Sequence, residues 1–96
     1  MTLVEKLRAE TRMSLHEVAW CQSEPHAKFI VEVLKRGAEH EAGYLPPSGN
    51  FAALSMYMGM LIVGWADRCG AKHNERAPFR ITDLGREVLK RCQAEA

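Results

Sequence analysis

A long stretch without charge constrains this chain more than any other feature. No residue between Glu41 and Asp67 is charged, whereas Lys, Arg, Asp and Glu make up 26% of the whole chain. Pro46 and Pro47 interrupt regular helix early in this stretch, so its helical part is predicted over residues 49–63. A helix that is apolar on every side is normally covered on both sides. This helix is therefore expected to lie between two neighbours.

The predicted helix has two apolar faces. One is a stripe at alternating three- and four-residue steps, which is the expected core face; it consists of Phe51, Leu54, Met58, Leu61 and Trp65. The opposite face, at about 100° per residue, is predicted to be an interface and consists of Ala52, Met56, Met60 and Val63. Its cover is either the N-terminal helix of the same chain or a second protomer. Both alternatives stay open, because methionine suits core gaps and adaptable interfaces alike.

The sequence pattern over residues 64–94 predicts a β-hairpin followed by a helix. Gly64 suits the left-handed residue that ends a helix, and residues 65–68 form a short strand after it. Residues 78–81 alternate apolar and charged side chains, which is typical of a half-buried strand. Thr82 is the expected N-cap of the last helix, predicted over residues 82–94, and Asp83 carries a negative charge at its positive end.

This order of elements resembles the wing of winged-helix proteins. The matching residues, Leu61–Arg68 and Phe79–Arg86, look like the end of the third helix and the "LT-x-x-G-R" entry to the last helix in MarR- and PadR-like regulators. The resemblance covers the C-terminal third of the chain. It implies a mainly α fold with a small antiparallel β-hairpin, winged helix-turn-helix-like, with about five helices and a two-stranded wing over residues 64–81. It also implies duplex DNA binding, as a homodimer.

The N-terminal helices are predicted within residues 2–42. Thr2 and Glu5 have the spacing of a capping box, and Ser14 and Glu17 have the same spacing, so a helix is predicted to begin at each. Ser23 is the predicted N-cap of a third helix. All elements are predicted to belong to one domain, residues 1–96.

A rival alignment moves the helix-turn-helix toward the N-terminus. Residues 15–19, a turn near residues 22–23 and the helix from Pro25 also resemble that motif. On this alternative the outward helix presents His26, Lys28, Glu32 and Lys35.

Positive charge is concentrated in the predicted wing. With a formal net charge of only +1, any nucleic-acid surface of this chain must be local. The predicted phosphate contacts of the wing are Arg68, Lys72, His73, Arg76 and Arg80. Ser48 and Asn50, at the start of the uncharged helix, are the predicted DNA contacts there. A solvated hairpin turn is the alternative account of the same charges.

Other classes of function find little support in the sequence. The histidines are scattered and no nucleophile motif is present, so no enzyme activity and no catalytic residue is predicted. Cys69 and His73 are a possible ligand pair, but a zinc site needs four ligands at typical spacings; no metal and no other cofactor is expected. Three cysteines without a CxxC motif favour reduced thiols. Together with the lack of a basic-then-apolar leader or a long apolar span, they predict a cytoplasmic protein outside the membrane.

Two hypotheses of different classes remain. The first is a small winged-helix transcriptional regulator, dimeric, with the basic wing on DNA phosphates. The second is a winged-helix adaptor or inhibitor, for example encoded by a phage or mobile element, that does not bind DNA. It would bind a protein partner through the uncharged face of helix 49–63. The basic wing favours the first hypothesis and the uncharged helix favours the second. The first is the predicted function, because the resemblance is to a fold that most often binds DNA, and the second is the alternative.

Overall fold

Helices and one antiparallel hairpin make up the fold in the computed structural model, which describes residues 2–11, 20–68 and 79–93. In chain order the elements are α1 (Leu3–Thr11), α2 (Glu24–Glu39), α3 (Phe51–Ile62), β1 (Ala66–Arg68), β2 (Phe79–Ile81) and α4 (Asp83–Gln93). The mainly helical class with a two-stranded hairpin agrees with the sequence prediction. The helix count differs: about five were predicted, and four lie within the described residues. The helix predicted from Ser14 falls outside them.

The predicted helix starts are confirmed where they are described. The Glu5 N–H donates to Thr2 Oγ1 at 3.3 Å, and the Thr2 hydroxyl donates to Glu5 Oε1 at 2.9 Å. Ser23 is extended and accepts a hydrogen bond from the His26 N–H at its Oγ. The bonds from the Glu5 and His26 N–H groups satisfy backbone donors that have no partner inside the helix.

Helices α1, α2 and α4 pack against one another. Their contact buries Leu7, Ile30, Leu34 and Val88 completely. An ion pair joins the first helix to the last, with both nitrogens of the Arg91 fork donating to the Glu10 carboxylate at 2.7 and 2.8 Å. The hairpin contacts this three-helix unit through β2 and α2, and α3 contacts the hairpin through β1.

The hairpin lies against α2 and is wider than two strands. β1 and β2 pair antiparallel, with Asp67 opposite Arg80. On the other edge of β2, the Leu45 N–H donates to the Phe79 carbonyl at 2.8 Å, and the Ile81 N–H donates to the Gly43 carbonyl at 2.9 Å. The segment before Pro46 therefore covers the second edge of β2.

The junction between α3 and the hairpin follows the prediction. Gly64 has a φ of +84°, its N–H donates to the Leu61 carbonyl, and the Trp65 N–H donates to the Met60 carbonyl. These two bonds are the Schellman pattern that ends a helix. Thr82 caps α4 through a 3.0 Å bond from the Gly85 N–H, and its hydroxyl donates to the Gly64 carbonyl. The same threonine thus joins the end of α3 to the start of α4.

The close approach at this junction leads to a prediction on stability. A Cβ added to Gly85 would overlap the Trp65 carbonyl oxygen, which is backbone and cannot rotate away. We expect Gly85→Ala to lower the free energy of unfolding by about 1–3 kcal/mol, although alanine favours helix. Urea unfolding measures the change. Gln93→Ala, at an exposed position of the same helix, is the control and should stay within about 0.5 kcal/mol of wild type. Equal stability of Gly85→Ala and wild type would contradict the close contact.

Candidate functional site

The most unusual surface of the described chain is one side of α3. Four residues at spacings of four, three and four lie on it: Phe51, Ser55, Met58 and Ile62, hereafter the outward face. Phe51 is 88% exposed, Ile62 68% and Met58 38%. Helix α3 contains no charged residue, so this exposed side is apolar apart from one hydroxyl.

The inward side of α3 explains why these residues face solvent. Ala53, Met56, Tyr57 and Met60 are buried in the core. Gly59 lies directly beneath the indole of Trp20, so close that any side chain there would overlap the ring. Because the helix can approach Trp20 only along this glycine, its rotation about its own axis is determined.

The two faces predicted for this helix are corrected by this rotation. Phe51 and Met58 were expected in the core and are exposed; Leu54 and Leu61 are half-buried, and only Trp65 is fully buried. The prediction failed because hydrophobic periodicity identifies the buried face of a helix by contrast with a polar face. Helix α3 is apolar on every side and offers no such contrast.

The four predicted interface residues are likewise partly buried and partly exposed. Met56 is 8% exposed and Met60 is 0% exposed within a single copy of the chain. These two methionines are covered by other residues of the same chain. Met56 and Met60 therefore offer no surface to a partner. Val63 is half-buried and Ala52 is exposed beside the outward face.

Tyr57 holds the segment before α3 against the core. Its hydroxyl donates to the Pro46 carbonyl at 2.6 Å, and its ring meets Phe79 edge-on at 5.3 Å between centroids. Burial raises the pKa of Tyr57 to about 12, and Arg36 partly offsets this. Sequence reasoning missed this residue, because a tyrosine inside an apolar helix gives no sign of which carbonyl its hydroxyl will meet.

The Asn50 side chain at the start of α3 serves the helix itself. Asn50 is its N-cap, and the Oδ1 atom accepts the Ala53 N–H at 2.8 Å. The Asn50 N–H donates to the Ser48 carbonyl at 2.8 Å. Asn50 was predicted to contact DNA, and its amide oxygen is engaged in the cap.

Two of the predicted phosphate contacts of the hairpin are described. Arg68 and Arg80 are both exposed. The Arg68 guanidinium lies 5.3 Å from the centre of the Phe79 ring, a cation–π arrangement. Arg80 is opposite Asp67 in the strand register. Lys72, His73 and Arg76 lie outside the described residues.

A cleft beside the hairpin has mixed charge. Its volume is about 450 Å³. Its charged lining residues are Glu41, Asp67, Arg80, Asp83 and Arg86. Acids alternate with arginines there, so the cleft presents no uniform field to an anion or a cation.

Most of the residues that the rival alignment assigns to the exposed side of its second helix are exposed on α2. Lys28, Glu32 and Lys35 are exposed and His26 is half-buried. The first helix of that alternative, residues 15–19, lies outside the described residues. Glu32 pairs with Arg36 at 3.3 Å, so acids and bases are interleaved on this face.

No cluster of metal-ligating side chains is found within residues 2–11, 20–68 and 79–93. No three His, Cys, Asp or Glu side chains among them are placed to hold a metal ion. Burial raises the pKa of the Cys21 and Cys92 thiols, which keeps both protonated and poorly nucleophilic at neutral pH. Cys92 lies in the core cluster with Val88 and Leu89. In the described part of the chain, no helix has the length and apolar character to cross a bilayer.

Comparisons with protein-family models, with curated protein sequences and with solved structures give no match to this chain. The function must therefore be inferred from its own residues and their geometry. The outward face of α3 and the cations of the hairpin are the two surfaces available for that inference.

The Tyr57 hydroxyl leads to a prediction with a pH dependence. We expect Tyr57→Phe to lower the free energy of unfolding by about 1 kcal/mol near neutral pH, because the Pro46 carbonyl loses its donor. Since the pKa of Tyr57 is raised in the folded chain, the protonated hydroxyl contributes stability that is fully present below pH 10. This stability is lost as the pH rises from 10 toward about 12.

Urea unfolding of wild type and Tyr57→Phe across this pH range measures the difference. The wild type should lose its excess free energy of unfolding over Tyr57→Phe as the pH approaches 12. Ionisation of the buried cysteines does not affect this difference, because both proteins contain them. A difference between the two proteins that does not change with pH would contradict the buried, hydrogen-bonded hydroxyl.

Proposed function

We propose that this chain is a small winged-helix-like module that acts by binding a protein through the outward face of α3. The exposure of Phe51 and Ile62 at 88% and 68% supports this proposal most strongly. Burying a large apolar side chain contributes roughly 1.5–3 kcal/mol. An exposed apolar face on a folded helix is typical of a docking surface.

The composition of α3 argues against base contacts from this helix. Base edges in the major groove are recognised by Arg, Lys, Asn and Gln side chains, and phosphates by cations. Of the four residues on the outward face, only Ser55 has a hydrogen-bonding side chain. Groove insertion would also remove water from phosphates without supplying any positive charge.

The winged-helix part of the proposal is supported by the order of elements after α3. The Schellman end of α3, the hairpin and the Thr82 cap of α4 follow one another as the family pattern requires. One feature departs from it. Residues 40–50 separate α2 from α3 and include a bridge from Tyr44 to Arg80, so these two helices are not joined by the short turn of a helix-turn-helix.

Duplex DNA binding by the hairpin is a second candidate function. It is favoured by the exposed guanidinium groups of Arg68 and Arg80 on adjacent strands. Lys72 and Arg76 lie in the connecting residues and would add two further phosphate contacts. Such binding would be independent of sequence and would leave the outward face of α3 uncovered.

DNA titrations test the proposed function against groove insertion. We expect Ile62→Glu to leave the affinity for random-sequence duplex DNA unchanged within about twofold, because α3 makes no base contact in this account. Gln93→Glu, which adds the same charge at an exposed site of α4, is the matched control. A tenfold or larger loss with Ile62→Glu, and not with Gln93→Glu, would contradict the proposal and place α3 on DNA.

The salt dependence of the same titration tests the hairpin. Four phosphate contacts predict a slope of log affinity against log salt near −3.6, and a triple variant Arg68→Ala, Lys72→Ala, Arg76→Ala should reduce it to about −0.9. A slope near zero in the wild type, or one that the triple variant does not change, would eliminate DNA binding by the hairpin.

A further inference from the structure

We propose that the partner of the outward face is a second copy of this chain, with the two α3 helices packed antiparallel about a two-fold axis. This inference rests on the proposed function, because it names the protein that the outward face binds. It is drawn from the spacing, the sizes and the charges of the exposed residues.

The spacing of the outward face is the same in both directions along the helix. Its residues are four, three and four positions apart, symmetric about a point between Met56 and Tyr57. In a two-fold contact, residue i meets residue j of the partner and j meets i. Antiparallel packing about that midpoint therefore places Phe51 against the partner's Ile62, and Ser55 against the partner's Met58, twice each.

The sizes of the paired residues fit this register. Ser55 is the one small side chain among the four residues, and it lies opposite the longest flexible side chain, the partner's Met58. Methionine adapts to irregular gaps. The two Ser55–Met58 contacts, one on each side of the two-fold axis, therefore each pair a small side chain with a large one and fill the centre of the interface. A parallel contact would instead bring serine against serine and leave a gap at that layer, between the layers of phenylalanine and methionine.

The electrostatics of α3 permit self-association. Two copies of one surface normally bring like charges together, which opposes binding. Helix α3 has no charged residue, so this repulsion is absent. Antiparallel packing also sets the positive end of each helix dipole beside the negative end of the other. The apolar surface continues beyond α3 at Leu84, which is 47% exposed and lies close to Gly64.

The contact is small, so the dimer should be reversible. Helix α3 has 12 residues and is about 18 Å long. One such helix buries less than the roughly 800 Å² per partner of a stable complex. We expect a dissociation constant of about 10–100 µM, and hence a monomer at low concentration and a dimer at high concentration.

Sedimentation equilibrium of two charge variants tests the register. Phe51→Lys alone places each introduced lysine against an isoleucine, and Ile62→Glu alone places each glutamate against a phenylalanine. Both variants should therefore be monomers at concentrations of about 100 µM and above, where the wild type is a dimer. An equal mixture should restore a heterodimer, because one contact becomes lysine–glutamate and the other remains phenylalanine–isoleucine.

Matched controls separate this result from general charge effects. Gln93→Lys and Gln93→Glu add the same charges on α4 and should dimerise as the wild type does. Circular dichroism checks that every variant is folded, which we expect because both substituted side chains are exposed. Ser55→Lys is a further variant, since it places two like charges near the axis and should give a monomer.

Three outcomes would overturn the inference. They are a wild type that stays monomeric over the whole range, single variants that still dimerise, and a mixture that stays monomeric although the wild type is a dimer. The last would show a different register. None of these results decides the proposed function. That function is contradicted if Ile62→Glu weakens duplex DNA binding at a protein concentration of about 1 µM or below, where a contact this small leaves both wild type and variant monomeric.

Discussion

The contact between Gly59 and the Trp20 indole determines how α3 lies in this protein. A glycine on one side of an otherwise apolar helix lets the backbone reach the ring, and Trp20 in turn packs edge-on against Trp65 at 5.7 Å. With that side inward, Met56 and Met60 enter the core and Phe51 and Ile62 must face water. The exposed apolar surface is thus a consequence of a core contact.

The hairpin depends on the same arrangement. Trp65 is buried immediately after the left-handed Gly64, and its carbonyl lies against Gly85 at the start of α4. The end of α3, the first strand and the last helix are therefore tied together within a few ångströms. A partner that binds the outward face contacts an element that is firmly connected to the rest of the fold, which reduces the entropy lost on binding.

The elements with local signals were predictable from the sequence. Thr2, Ser23, Gly64 and Thr82 each act through a hydrogen bond or a backbone angle within a few residues, so their positions in the chain were sufficient. The orientation of α3 depends on tertiary contacts. Ser55 and Gly59 were the available clues, a polar residue for the exposed side and a glycine for the close approach. The pairing of residues 43–45 with β2 was hidden because Pro46 and Pro47 are typical of a linker.

The oxidation of three methionines on one helix tests the orientation of α3 most directly. Hydrogen peroxide oxidises methionine according to its exposure, and Met56, Met58 and Met60 are 8%, 38% and 0% exposed. At a protein concentration low enough to avoid pairing, mass spectrometry should find Met58 oxidised first. Met56 and Met60 should be protected until urea unfolds the chain. Oxidation of Met56 or Met60 as fast as Met58 in the folded protein would contradict this account.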